Sequence, residues 1–404
     1  MRYLRLLNKL FWGAGMPGVL LLLYPILLLI ITRKRSMSQA AEVDVSASIQ
    51  IIYVLLCLFF GFIFFVNKGK RAFKAFILKG PSLFLFLFII LGFISALWSS
   101  NPSLSVFRAI ENLSFLVIIH AIVFILISKY GPEDILRWAI FYAVWNLVVD
   151  ILFNVKMVGL DFLALPFTAS RLFFPLFFFL FLFLTKNKIL KILMLSFAIL
   201  GVSNKIYFGI SAGLIALLFS DFKYKFYFGF IAFIVLLSYM YLGLEDLLLN
   251  TVYYGRDSIG LEDSSGRNQI WSYLYKEGLK KPFLGHGFVA GEVDLLASSA
   301  WEGAINSHNS FMSAFVNNGI LGFMLILIYF LYTIKNSFSK VFPRKKWLPA
   351  IMSTTIMVFV INMAAPGIGS RVYGAWIPSV FLLTLILGLR YKFINLKITS
   401  KKVS

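Results

Sequence analysis

The sequence predicts an all-α integral membrane protein with about twelve transmembrane helices and one large external loop carrying short helices between spans nine and ten. Three observations carry this. Apolar residues make up 60% of the 404, and they fall into runs of membrane-spanning length from one end to the other. A run of roughly 20 such residues crosses the hydrocarbon as a helix, and in lipid only helices or closed barrels satisfy their own backbone. Uninterrupted runs point to helices, because a barrel would give weak period-2 segments instead. Third, the cations gather in short loops between runs.

The runs lie at 14–32, 49–66, 80–98, 111–128, 134–153, 169–184, 188–203, 205–221, 225–244, 308–334, 347–365 and 372–390. Arg2, Arg5 and Lys9 precede the first. Ser38-Gln39-Ala40 resembles a signal-peptidase site, but the run is long and Arg33-Lys34-Arg35 intervenes, so an uncleaved first span is expected. Lys68 to Lys79, Lys129, Lys186 and Lys188, Lys223 and Lys225, Lys335 to Lys346, and the tail from Lys392 all fall on one side. The positive-inside rule makes that side and both termini cytoplasmic, with Arg33-Lys34-Arg35 the exception. The same distribution argues against nucleic acid as the partner of the +21 net charge. Cys57 is the lone cysteine, which excludes an intrachain disulfide and a thiolate metal site.

The chain then divides into spans one to nine (1–244), an external loop subdomain (245–307), and spans ten to twelve with a cytoplasmic tail (308–404). The stretch from 244 to 308 holds nine of the seventeen acidic residues and two of the three histidines. Ser264 or Ser265 is suited to cap a helix running to about Lys280, with Ile270, Trp271 and Leu274 as its apolar stripe. Pro282 stops it, Gly285-His286-Gly287 turns, and 288–304 suits a second short helix.

Chemistry is expected where charge meets the external ends of the spans. Arg171 opens span six, Lys205 lies in the turn before span eight, Arg371 precedes span twelve, and Arg256 and Arg267 come from the loop. Converging, they would make a cationic cleft for a lipid-linked phosphate or diphosphate. Each also fits a snorkelling side chain at the interface. His308 heads span ten with Asn309 behind it, and a neutral imidazole there suits a general base. A histidine bonded to a loop carbonyl is the plainer reading. His286, between two glycines, ranks second to His308 as a candidate and fits a turn residue equally well, and His120, deep in span four, fits packing against a neighbouring span. Asp150, near the outer end of span five, suits pairing with a cation such as Arg171 or, less simply, a proton relay. Asp257, Glu262 and Asp263 match no metal-loop spacing. The chain has no phosphate loop, HExxH pair or GxSxG elbow.

At these residues the chain resembles the bacterial O-antigen polymerase and O-antigen ligase family of polytopic membrane glycosyltransferases. Three patterns carry the resemblance, over roughly residues 200–325: Ser265-Gly266-Arg267 with Ile270-Trp271; Pro282-Phe283-Leu284-Gly285-His286-Gly287; and His308-Asn309-Ser310-Phe311 followed by Asn318-Gly319-Ile320-Leu321-Gly322. Where the family usually has a serine–arginine pair, this chain has Ser203-Asn204-Lys205, which keeps the charge and loses the bidentate fork.

The resemblance implies an enzyme of the inner membrane whose large loop is periplasmic. Its donor is an oligosaccharide on undecaprenyl diphosphate, and its acceptor is a lipid-linked repeat unit or the lipid A-core. Membrane lipid and a chain-length regulator protein are the other partners implied, with no cofactor and no metal. His308 and Arg267 would be catalytic, and Arg171, Lys205, Arg256 and Arg371 would hold the diphosphate. Polymerisation is the leading expectation and ligation the alternative. From other classes, a polysaccharide or lipid transporter would place ionisable groups near the midplane in two related halves. A non-catalytic scaffold would need no cations around one histidine.

Overall fold

In the computed structural model the described residues are 13–31, 45–68, 77–158, 175–185, 188–189, 191–192, 204–219, 267–298, 306–343, 346–364, 367–369 and 376–403. No strand occurs among them. The helices are α1 (Gly15–Ile31), α2 (Val45–Lys68), α3 (Pro81–Ile94), α4 (Pro102–Lys129), α5 (Pro132–Val158), α6 (Phe178–Leu184), α7 (Asn204–Ala216), α8 (Arg267–Gly278), α9 (Ala290–Ala297), α10 (Ser310–Ser337), α11 (Trp347–Ala364) and α12 (Trp376–Val403). Four stretches are long and apolar enough to cross a bilayer: Ala47–Lys68, Pro102–Lys129, Ser310–Ser337 and Trp376–Leu396. Gly15–Leu27, Pro81–Leu97 and Trp347–Met363 are shorter apolar helices. The chain is therefore a helical membrane protein. The expected ninth run, 225–244, lies outside the described residues, as does most of the seventh.

Two boundaries differ from the sequence reading. α4 starts at Pro102, nine residues before the apolar run, because Asn101 caps it: its Oδ1 accepts from the Leu104 amide at 3.1 Å, and Pro102 supplies a preset first turn. α12 continues to Val403, beyond the point where hydropathy fades at about 390. A helix needs no apolar face once its backbone has left the hydrocarbon.

Helix α4 is the axle. It packs on α1, α2, α3 and α12, and 83% of its most apolar window is buried, against 28% for α2. A helix with buried residues on every face belongs inside a bundle, and α4 is one from Phe115 to Ile127; α2 turns Ile52, Leu55, Phe59, Phe62 and Val66 outward. Close approach is secured by small residues. A side chain at Gly61 would meet Val117, and one at Gly388 would meet Ile127.

Contacts divide the bundle into two ends. At one, Tyr130 Oη donates to the Gly13 carbonyl at 3.4 Å and Lys392 Nζ donates to the Ile127 carbonyl at 2.8 Å. Phe342 and Trp347 pack there against Phe393. At the opposite end lie the α3–α4 corner, the segment 282–298, the turn before α10 and residues 367–369.

His120 is fully buried in α4, and its bonding matches a packing role. Nδ1 is 2.8 Å from the Leu116 carbonyl, so it carries the proton, and Nε2 then accepts from Ser82 Oγ of α3 at 2.8 Å. Ser82→Ala leaves that acceptor buried and unmade, at a cost of about 1–3 kcal/mol. The expected result is a lowered Tm of the purified protein in detergent; an unchanged Tm would show that the bond contributes nothing.

Candidate functional site

The site is built on a break in α10. Gly319 sits at φ 65°, ψ −163°, inside what is otherwise one helix of 28 residues. In an unbroken helix the Ile320 amide would donate to the Val316 carbonyl. Here the Ile320 amide donates to the Pro282 carbonyl at 2.7 Å, and the Val316 carbonyl accepts from the His286 amide at 2.9 Å. The Asn317 carbonyl accepts from the Gly287 amide at 2.9 Å. The Pro282–Gly287 run thus replaces the missing helical bonds from both sides. The exchange needs two glycines. A side chain at Gly285 (φ 69°) would strike the backbone of Asn317 and Asn318, and one at Gly319 would strike the Phe283 carbonyl. The second and third sequence patterns are therefore two halves of one main-chain joint.

The α3–α4 corner grips the same segment. Trp98 Nε1 donates to the Leu284 carbonyl at 3.2 Å, and the Phe288 amide donates to Ser95 Oγ at 2.8 Å. Ser105 Oγ reaches the Phe288 carbonyl at 3.0 Å, and Ser100 Oγ donates to the Asp294 carboxylate. The Phe288 ring is buried edge-on to Phe88, with centroids 5.5 Å apart, over a space that only Gly92 leaves open.

Glu292, 2% exposed at the start of α9, ties this segment to His308. Its Oε1 accepts from the Ser307 amide at 2.5 Å and from Ser313 Oγ at 2.9 Å. Its own amide donates to Asn317 Oδ1 at 2.8 Å. The Ser307 carbonyl accepts from Trp271 Nε1 of α8 at 2.7 Å. On the other flank, Asn309 Oδ1 caps α10 by accepting from the amides of Phe311 (2.9 Å) and Met312 (3.1 Å). His308 lies between these two fixed residues with φ 54°, and its amide donates to Asn306 Oδ1 at 3.0 Å. A non-glycine residue in that region carries strain of about 1–3 kcal/mol, tolerated where the surroundings over-determine it.

The start of α10 also meets residues 367–369. A side chain at Gly369 would strike the Ser310 carbonyl at 2.6 Å. Asn362 Oδ1 accepts from Ser310 Oγ at 3.3 Å and from the Ile368 amide at 2.8 Å. Four polar connections, from the α3–α4 corner, α8–α9, the α10 turn and the α11–α12 connection, thus converge on one end of the bundle.

Of the residues expected from sequence, His308, Asn309 and His286 are brought into this assembly. His286 is a turn residue whose Nε2 donates to the Glu277 carbonyl at 3.0 Å, the plainer of its two readings. Arg267 is the first residue of α8, and Lys205 the second of α7; their side chains lie outside what is described, as does that of Asp150 in α5. Arg171, Arg256 and Arg371 lie outside the described residues. Both short loop helices form: α8 ends at Gly278, near the expected Lys280, and α9 occupies eight residues of 288–304. Ile270 and Leu274 bury their stripe against Leu296 and Val316. Sequence reading passed over Glu292, which stood out from its acidic neighbours by no spacing. Among the described residues no three His, Cys, Asp or Glu side chains gather to hold a metal ion. No protein-family model matches the chain, and no curated protein matches it.

Gly319→Ala and Gly285→Ala should speed hydrogen exchange at the amides of His286, Gly287 and Ile320 by tenfold or more, because about 1–3 kcal/mol of backbone strain opposes the bonded form. Gly80→Ala, at φ 70° with open space around it, serves as the control with the smaller effect. Glu292→Ala should lower Tm further than Glu292→Gln, which retains an acceptor for Ser307 and Ser313. Equal losses would mean that the carboxylate does not hold the His308 turn.

Proposed function

We propose that the chain is a membrane glycosyltransferase that polymerises oligosaccharide repeat units carried on undecaprenyl diphosphate, as an O-antigen or capsule polymerase does. The observation supporting this most directly is the joint: the Pro282–Gly287 and Asn318–Gly322 patterns bond to each other, and Glu292 links them to the turn that carries His308. Two of the three patterns picked out by likeness to one enzyme family thereby make one structural unit.

In the proposed reaction an acceptor sugar hydroxyl attacks the anomeric carbon of the donor. A carbon–oxygen bond forms to the acceptor as the bond to the diphosphate oxygen breaks. His308 takes the hydroxyl proton, and the diphosphate departs with the bonding pair. Arg267, with Arg171, Lys205, Arg256 and Arg371, stabilises the charge that gathers on it. One in-line displacement inverts the anomeric configuration. A diphosphate is already a good leaving group, so the proposed step is metal-independent. The strained, doubly tethered setting of His308 suits a base that must hold its position against a mobile glycan. The membrane is the bacterial inner membrane, with the loop periplasmic and both termini cytoplasmic.

The family's other reaction, ligation to the lipid A-core, differs only in acceptor. A transporter would also use a broken helix, but the break in α10 is closed by main-chain bonds from 282–287 rather than left to line an ion path.

His308→Ala should abolish glycan transfer by membranes while expression and Tm stay near wild type. Arg267→Lys should be almost as damaging as Arg267→Ala, because lysine cannot reproduce a bidentate grip. In a deletion strain, core bearing a single repeat without the long-chain ladder would identify the polymerase. Bare core with long chains accumulating on lipid would identify the ligase. Unchanged pools together with an active His308→Ala variant would overturn the glycosyltransferase reading.

A further inference from the structure

Apolar side chains stand exposed all around the joint. Phe283, in the Lys281–Gly285 turn, is 70% exposed, and Leu284 beside it is half exposed. The Gly285 amide closes the turn by donating to the Lys281 carbonyl at 2.9 Å, so the two side chains are held out on a fixed backbone. Exposed apolar groups continue from them on three sides. Ile320 and Leu321 of α10 lie alongside, since the Ile320 amide is bonded to the Pro282 carbonyl, and Met324 is exposed one turn further on. At the α3–α4 corner, whose Trp98 indole holds the Leu284 carbonyl, Ile94 and Leu97 are exposed, Leu97 at 87%. On α8 and the residue just past it, the exposed apolar side chains are Tyr275 and Leu279, one turn apart.

The length of α10 sets the depth of this surface. Lys335 lies in the last turn of the helix and marks the far end of its apolar stretch. A hydrocarbon layer of roughly 30 Å takes about 20 helical residues. Counted back from Lys335, that reaches Phe315, one turn before Gly319. Tyr275 packs on Phe315 there, with ring centroids 6.1 Å apart, and Gly278 leaves the space for the contact: a side chain at 278 would meet the Phe315 ring. α8 therefore rests at the level where hydrocarbon gives way to headgroups, the level that amphipathic aromatic rings favour. Lys276, Lys280 and Lys281 are exposed on the same short stretch. Its one carboxylate, Glu277, pairs with Lys280 at 2.6 Å, so three cations stand against one anion.

We propose that α8 and the Pro282–Leu284 turn form a bilayer anchor whose occupant is a leaflet of anionic phospholipid. Phe283 and Leu284 enter the acyl-chain layer next to Ile320 and Leu321, Tyr275 and Leu279 lie at its edge, and Lys276, Lys280 and Lys281 take phosphate oxygens of the headgroups. Continuity with the exposed apolar side of a spanning helix selects a membrane over a protein partner, and the excess of lysine selects anionic headgroups over neutral ones. The anchor holds the loop half of the joint at the depth where the helix half breaks. It rests on the chain being a membrane protein and not on glycosyl transfer, so either reading can fail without the other.

The test uses the full-length protein in vesicles of phosphatidylcholine and phosphatidylglycerol. A nitroxide is attached at Phe283→Cys in a Cys57→Ala background, and its exposure to oxygen and to a water-soluble nickel complex is read by electron paramagnetic resonance. Phe62→Cys, on the exposed face of α2, gives the reference for hydrocarbon. Oxygen should relax the label at 283 several-fold more than the nickel complex does, as at 62. A label open mainly to the nickel complex overturns the anchor. So does one shielded from both reagents, because another polypeptide then covers the surface. The headgroup contacts are read by native mass spectrometry of the protein in detergent with phosphatidylglycerol and with phosphatidylcholine. Lys276→Gln, Lys280→Gln and Lys281→Gln together should cut the affinity for phosphatidylglycerol about tenfold or more and leave that for phosphatidylcholine unchanged. Arginine at the same three positions should restore it, which a merely unfolded loop would not allow. An undiminished preference for phosphatidylglycerol in the triple Gln variant, or no restoration by arginine, overturns the assignment to an anionic leaflet.

Discussion

A helix that breaks beside hydrocarbon must find new partners for the amides and carbonyls it sets free, because no water is there to take them. The rest of this end of the bundle is arranged around meeting that demand at Gly319. The Ile320 amide and the Val316 and Asn317 carbonyls are all satisfied by a single run, Pro282 to Gly287. The loop that supplies this run cannot be an independent appendage. Its path is fixed to within a hydrogen bond by the helix it completes, and the glycines at 285 and 319 leave no room for a different approach.

From that anchor the order spreads by short polar steps. The corner at 95–105 holds the segment from below, through three serines and the Trp98 indole. Glu292 then turns toward α10 and holds Ser307 and Ser313 with one oxygen. A buried carboxylate that accepts from a backbone amide and a hydroxyl is a strong organiser, because removing any partner leaves charge uncompensated. His308 sits between residues fixed by this chain of contacts, with its own amide held by Asn306 Oδ1.

The membrane class, the four helices long and apolar enough to cross a bilayer, and the two short helices α8 and α9 were legible in the sequence, because apolar runs and a Pro282 stop act locally. The patterns around Gly285, His286 and Gly319 were legible as motifs but not as a joint. Nothing in a one-dimensional reading says that the amide of residue 286 replaces the amide of residue 320. Glu292 was invisible for the same reason: its importance lies in being buried among amides and hydroxyls, not in its neighbours along the chain. The beginning of α4 was misread because hydropathy was weighed above capping. Asn101-Pro102 is a helix start in its own right, and placing the span at 111 left Arg108 in a supposed loop and Glu111 at its edge. Moving the start to 102 turns both into charges inside a membrane helix.

That change of register alters how the charge distribution is understood. From Phe115 to Ile127, α4 carries one bonded imidazole, His120, and is otherwise apolar. Its ionisable pair, Arg108 and Glu111, is confined to the third nearest its N-terminus, where Gln50 of α2 meets Glu111. Burying an arginine and a glutamate is neutral at best against a well-packed apolar pair, so stability gives no reason for them to be there. Position does. The same end of the bundle holds the α10 break, the strained His308 and the corner that grips Phe288, while the opposite end is closed by aromatic packing of Phe342, Trp347 and Phe393 and a lysine bonded to a carbonyl. One end is built from groups whose hydrogen bonds are nearly all spoken for, and the other from groups chosen to hold an oriented backbone under polar load. A bundle polarised in this way gathers its irregular backbone at one end, and the energy of its apolar core serves to hold that irregularity in place.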